Sequence, residues 1–339
     1  MRSARLAKGR ATTLTGSMAL GILPFADEHL DGAARLLAAR HARHRAACPL
    51  LPAQYADPRL AREALLAAWR AEGASGAVAV RGATLAGYVV GTPRPDPVWG
   101  ANVWIESGGH AVEEEPEIVR DLYAAAASRW VEEGRTRHYA LVPATDAPLV
   151  DAWFRLCFGL QHAHGARRVG RPSEVRAPEG IEIRAPEEGD LEALIDVDLA
   201  LPQHQRSAPV FSTVPLPTRE ESRNEWLATF AAGDETLLAA YADGRPVACW
   251  AVVPVERSRE HRELLRTDGA CFLGFASTLP AFRGHGIGVA LTQACLSWAA
   301  EHGYDVMLTD WRVTNLRASR FWPRRGFRET FLRLYRSIP

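Results

Sequence analysis

Leu279-Pro-Ala-Phe-Arg283-Gly-His285-Gly-Ile287-Gly288 carries more information than any other stretch of this chain. A β-rich run, Ala270-Cys-Phe-Leu-Gly-Phe-Ala-Ser-Thr278, leads into it through a proline. An amphipathic run, Val289-Ala-Leu-Thr-Gln-Ala-Cys-Leu-Ser-Trp-Ala-Ala300, leaves it at once. The pattern predicts strand, glycine-rich loop, helix. Glycines let the backbone turn tightly and come close to a ligand. The unpaired N–H groups of a first helical turn, with the helix dipole, favour an anion there. A pyrophosphate is the natural guest, and Arg283 adds a charge-assisted contact. The spacing Gly284, Gly286, Gly288 does not fit the dinucleotide fingerprint, and no Gly-Lys-Ser/Thr of a nucleotide hydrolase follows.

Downstream, Val306-Met-Leu-Thr-Asp310-Trp-Arg-Val-Thr-Asn315 reads as a strand and its exit. Leu316-Arg-Ala-Ser-Arg-Phe-Trp322-Pro-Arg-Arg-Gly326-Phe327 reads as a helix ending in a Gly-Phe pair. Together with Arg-x-x-Gly-x-Gly at Arg283, this resembles motif A and its companions in the Gcn5-related N-acetyltransferases (GNATs), from about Ile181 to the end. The resemblance implies acetyl-CoA as co-substrate. The pantetheine arm would pair with Ala276, Ser277 and Thr278. The pyrophosphate would rest on the amides of Gly284, His285, Gly286, Ile287, Gly288 and Val289, with Asn315 facing the cofactor.

The same resemblance places Asp310 where some members carry the carboxylate that deprotonates the attacking amine. The bland alternative is a cap or an ion-pair partner for a nearby arginine. Trp322 stands where the family often has a tyrosine that protonates the departing thiolate. An indole N–H is a donor but no usable acid, so Trp322 is expected to pack on the pantetheine arm. His204, Tyr241, His261 and Tyr335 are substitutes for that acid anchored by no motif. His285 reads as a spacer whose backbone N–H does the work.

The chain also repeats itself. Gly21-Ile-Leu-Pro-Phe and Ile181-Glu-Ile-Arg open two stretches of the same layout, about 161 positions apart. Hairpins follow, turning at Gly82 and Gly244. Helices then end at Glu133-Gly134 and His302-Gly303, and Asp146, Trp153 and Phe158 fall on Asn315, Trp322 and Phe327. The offset drifts from 162 to 169, which puts a seven-residue insertion in the second copy, at the charged loop Glu256 to Asp268. Each copy reads strand, helices, hairpin, strand, helix, strand, helix, strand. The expected fold class is α/β: two tandem GNAT-like domains, each a mixed twisted sheet flanked by helices. Residues 18–172 form the first, 181–339 the second, and 173–180 a linker, after a disordered tail over 1–17. The stretch Gly165 to Gly180, rich in Gly, Pro and Arg, reads as linker or exposed edge. In the first copy Glu113, Glu114 and Glu115 occupy the phosphate-loop region and would repel a pyrophosphate. That copy is expected to be a scaffold.

The bulk numbers agree. A chain of 339 residues suits two domains. Its 40 basic and 40 acidic residues balance, so nothing global steers it toward nucleic acid or an anionic membrane. No run of about 18 apolar residues appears. The five cysteines are scattered, no Cys/His spacing suggests a metal, and reduced thiols in a cytoplasmic protein are expected. The expected function is acetyl transfer from acetyl-CoA to a primary amine of a small-molecule or peptide acceptor. Its rival is a non-catalytic acyl-CoA sensor or scaffold. Oligomeric state is not legible.

Overall fold

A computed structural model describes residues 19–113 and 115–339. The expected tail, Met18 and Glu114 lie outside the described residues. The first half runs β1 (Leu20–Pro24), α1 (Leu30–Ala47), α2 (Pro58–Trp69), β2 (Ser75–Arg81), β3 (Thr84–Gly91), β4 (Asn102–Ile105) and β5 (His110–Val112). It continues α3 (Ile118–Glu132), β6 (Arg137–Pro143), α4 (Ala147–Phe154) and β7 (Gly159–Arg168). The second half repeats the order with the single strand β11 in place of β4 and β5: β8 (Ile181–Arg184), α5 (Leu191–Arg206), α6 (Arg219–Ala232), β9 (Thr236–Ala242), β10 (Arg245–Pro254) and β11 (Ala270–Thr278). It ends with α7 (Ile287–Glu301), β12 (Val306–Arg312), α8 (Leu316–Arg324) and β13 (Arg328–Ser337).

Local chemistry sets these boundaries. Asp57 accepts from the Arg59 amide and Pro58 opens α2. Thr218 and Glu221 form a reciprocal capping box on α6. Asp146 caps α4 and Asn315 caps α8, so the aligned pair in the two copies shares a structural duty.

The strands form two sheets. One has the order β1-β2-β3-β5. The other, of nine strands, runs β4-β6-β13-β7-β12-β11-β10-β9-β8. Its centre is the informative part. β7, the last strand of the first copy, lies antiparallel between β12 and β13 of the second. β13, the last strand of the second copy, pairs antiparallel with β6 of the first. The two copies have exchanged their final strands, and the nine-stranded sheet is continuous across them. Phe331 of β13 is fully buried in the core of the first half, its ring 4.8 Å from that of His44. Burying such a side chain contributes about 1.5–3 kcal/mol.

This corrects the reading of Gly165 to Arg168 as linker or exposed edge. They complete β7, opposite Thr309 to Val306 of β12, in the interior of the sheet. Glycine at 165 serves a close approach: a Cβ there would stand 2.6 Å from the Trp311 ring. The expected insertion also has a fold. Leu264 and Leu265 of the charged loop enter the first half's core. Thr267 Oγ1 donates to the Leu50 carbonyl at 2.6 Å.

In the second half α5 packs against β10 and β11, while α7 packs on β9, β10 and β11. Among the described residues no helix is long and apolar enough to cross a membrane.

Candidate acetyl-CoA site

β11 and β12 run parallel only from Ala270 opposite Val306 to Leu273 opposite Thr309. Beyond that they separate. The register of β11 against β10 slips at Gly274, since Ala251 faces Phe275 while Val252 faces Leu273. A bulge of this kind bends its strand. Phe275 to Thr278 therefore stay paired with β10, and their other edge opens onto a cleft of about 970 Å³. Thr309 Oγ1 donates to the Leu273 carbonyl at 3.0 Å and pins the apex.

Each residue expected to hold the cofactor can now be placed. Ala276, Ser277, Thr278, Arg283, Gly284, Gly286, Ile287, Gly288, Val289, Asn315 and Trp322 all line the cleft, with Asp310. His285 does not; it is exposed on the loop. The Ser277 hydroxyl points away and donates to the Val197 carbonyl at 2.6 Å, so its backbone is what it offers. Gly284 and Gly286 have φ of 88° and 83°, a region L side chains rarely adopt. Gly286 is the N-cap of α7, and the amides of Ile287 and Gly288 have no helical carbonyl four residues back. Arg283 is braced, its Nε donating to the Thr278 carbonyl at 2.9 Å. Asn315 Oδ1 accepts from the Arg317 and Ala318 amides at 3.2 and 3.3 Å. Trp322 is buried against Trp250, with ring centroids 5.4 Å apart.

The lining is basic. Among the described residues it holds six arginines, Arg283, Arg312, Arg317, Arg320, Arg324 and Arg325, against one carboxylate, Asp310. Sequence reasoning missed this, although Arg317, Arg320 and Arg324 follow one another at helical spacing. An open strand edge, unpaired amides and this charge fit a long ligand carrying several phosphates.

Sequence reasoning also missed His162. It arrives on β7 from the first copy, lines the cleft, and its Nε2 lies 2.8 Å from Asp310 Oδ1. Burial alone would raise the Asp310 carboxyl, but His162, His164 and His261 outweigh it and hold the group below its ordinary value. Burial lowers His162, with Asp310 opposing. Of the four expected substitutes for the acid, only His204 lines the cleft, its Nε2 3.3 Å from Asn315 Oδ1. The Tyr241 hydroxyl is tied to Asp190 at 2.5 Å, Tyr335 packs on Tyr139, and His261 is buried behind the cleft.

Among the described residues, the first copy has no such loop. Residues 113–117 join β5 to α3, against residues 279–286 between β11 and α7. Glu115 pairs with Arg81 at 2.6 Å. Where the second copy has its open edge, Arg40 is buried and donates to the carbonyls of Ser107 and His110.

Apart from His162, the cleft lies in the second half of this α/β fold. Residues 201–327 match the family described as Acetyltransferase (GNAT) family. A solved GCN5-related N-acetyltransferase from Sphaerobacter thermophilus is similar over 94% of this chain and 95% of its own, with TM-score 0.59 and 16% identity. A tandem GNAT protein from the clavulanic acid biosynthesis pathway is similar over 94% of this chain and 98% of its own, with TM-score 0.50 and 16% identity. Identity this low shows likeness of fold alone. No curated protein sequence matches the chain significantly. The matched stretch lies in the second half and belongs to a family whose co-substrate is acetyl-CoA, and the fold of the whole chain is like that of a tandem GNAT protein.

Proposed function

We propose that this chain transfers an acetyl group from acetyl-CoA to a primary amine by direct attack, in the cleft of its second half. The observation that supports this most is that one cleft joins an anion-ready loop, an open strand edge and a carboxylate–imidazole pair. When bound, acetyl-CoA supplies an acetyl group activated as a thioester. Backbone donors of Gly274 to Thr278 orient the pantetheine arm and polarise the carbonyl. The Gly284 to Val289 amides, with the arginines of α8, hold the phosphates. Asp310, backed by His162, takes the amine proton as the new C–N bond forms and the C–S bond breaks. Trp322 walls the arm and donates no proton. The thiolate leaves unassisted, which its acidity near pKa ~8.5 tolerates. The first half lends β7 and acts as scaffold.

A second reading, a sensor that binds acetyl-CoA without turnover, is motivated by Trp322 at the acid position. A thiol-release screen against a library of amines separates the two. Amine-dependent release of free thiol is expected. Tight acetyl-CoA binding with no release for any amine would favour the sensor.

A further inference from the structure

Behind the Asp310–His162 pair the fold gathers residues that no sequence spacing groups. His164 comes from β7, His261 from the charged loop before β11, and Asp310 from β12. Their ligand-capable atoms all lie within 4.8 Å of one another. Both histidines are at most 2% exposed. Among the described residues, neither ring nitrogen of His164 has a hydrogen-bond partner, nor does His261 Nε2. Buried polar groups left unpaired are costly and rare, so three in one place call for an occupant.

We propose that His164, His261 and Asp310 form a binding site for a divalent transition-metal ion of the zinc type. Two imidazoles and one carboxylate suit zinc and its neighbours, whereas magnesium and calcium take oxygen ligands. The surrounding bonds are those a metal site requires. His261 Nδ1 is held by Ser258 Oγ at 2.9 Å, which orients the ring and leaves Nε2 free. Asp310 Oδ1 is held by His162 Nε2, an outer histidine to the carboxylate. Arg333 is a nearby opposing charge. It is turned to Gln161 Oε1 at 2.9 Å and Glu260 at 3.7 Å, which offsets it. Arg312, whose charge Asp310 favours against burial, also lines the cleft.

Asp310 belongs both to this set and to the cleft. An ion there withdraws the carboxylate from proton transfer, so the metal inhibits. This second statement rests on the proposed function, whereas the site itself does not.

The test uses the full chain, stripped with a chelator. Zinc is titrated by calorimetry and Co²⁺ by visible absorption. One ion per chain is expected, with a ligand-field spectrum from Co²⁺. His164→Asn and His261→Asn should each weaken binding at least about tenfold, as ligand loss must cost no less than loss of an outer partner. Acetyl-CoA affinity should not change, because neither residue lines the cleft. His261 sits on a loop, so its variant guards against a folding failure in β7. No uptake by the wild-type chain, or equal uptake by a folded His261→Asn protein, overturns the site. In the thiol-release assay zinc should lower wild-type turnover and leave His261→Asn unaffected. Full wild-type turnover with zinc bound overturns the inhibition, and a fully active Asp310→Asn protein overturns the base reading without touching the site.

Discussion

His162 Nε2 stands 2.8 Å from Asp310 Oδ1, although the two residues are 148 positions apart in the chain. The exchange of last strands brings them together: β7 lies beside β12, with Asp310 opposite His164 and Arg312 opposite His162. A side chain of the first copy thereby completes the cleft of the second.

Asp310→Asn should lower the turnover number about 10²- to 10⁴-fold, the usual loss with a general base. Acetyl-CoA affinity should barely move, since the proposed cofactor contacts are backbone amides and arginines elsewhere. Trp322→Phe should keep most of the turnover and weaken acetyl-CoA binding through lost packing. Steady-state kinetics and calorimetry on the two folded variants check both outcomes. A fully active Asp310→Asn protein returns Asp310 to a structural carboxylate.

Gly165→Ala should destabilise the whole chain by about 1–3 kcal/mol, the usual result of overpacking. The added Cβ would meet the Trp311 ring at 2.6 Å, at the centre of the shared sheet. Denaturant unfolding measures it. An unchanged midpoint would mean that β7 does not sit against Trp311.

His44 makes the first half sensitive to acid. It is buried, and burial first, then Arg40 and His41, push it from 6.5 down to about 3. The unfolded chain takes up this proton below about 6.5 while the folded chain refuses it until about 3. Its contribution to stability is therefore complete above pH 6.5 and is lost as pH falls toward 3. At pH 5 the loss comes to about 2 kcal/mol. In His44→Leu the difference in unfolding free energy between pH 7.5 and pH 5 should shrink by about that amount. Identical pH dependence in both proteins would show that His44 is protonated in the fold.

Much of this was legible beforehand, because the signals were local. The duplication showed in turns and capping residues, and the glycine-rich turn before α7 in Gly284 and Gly286. Asn315 lines the cleft, yet its oxygen caps α8, a duty any Asn or Asp at a helix start can take. What stayed hidden was non-local. The pattern of β7 is the same whether it closes its own sheet or its neighbour's, so Gly165 looked like linker composition. His162, His164 and His261 carried no motif, and only the strand exchange and the folded loop bring them to Asp310. The arginines of α8 were readable at helical spacing and were overlooked for lack of a partner.

Titration calorimetry with acetyl-CoA tests the central claim most directly, comparing the wild-type chain with Gly286→Val. A β-branched residue at a φ of 83° distorts the N-cap of α7 and keeps the phosphate from the backbone. One acetyl-CoA per chain is predicted for the wild type, with affinity falling more than about tenfold, or 1.4 kcal/mol, in the folded variant. Two equivalent sites, or one site of undiminished affinity in Gly286→Val, would contradict the assignment of the cofactor to the second half's loop.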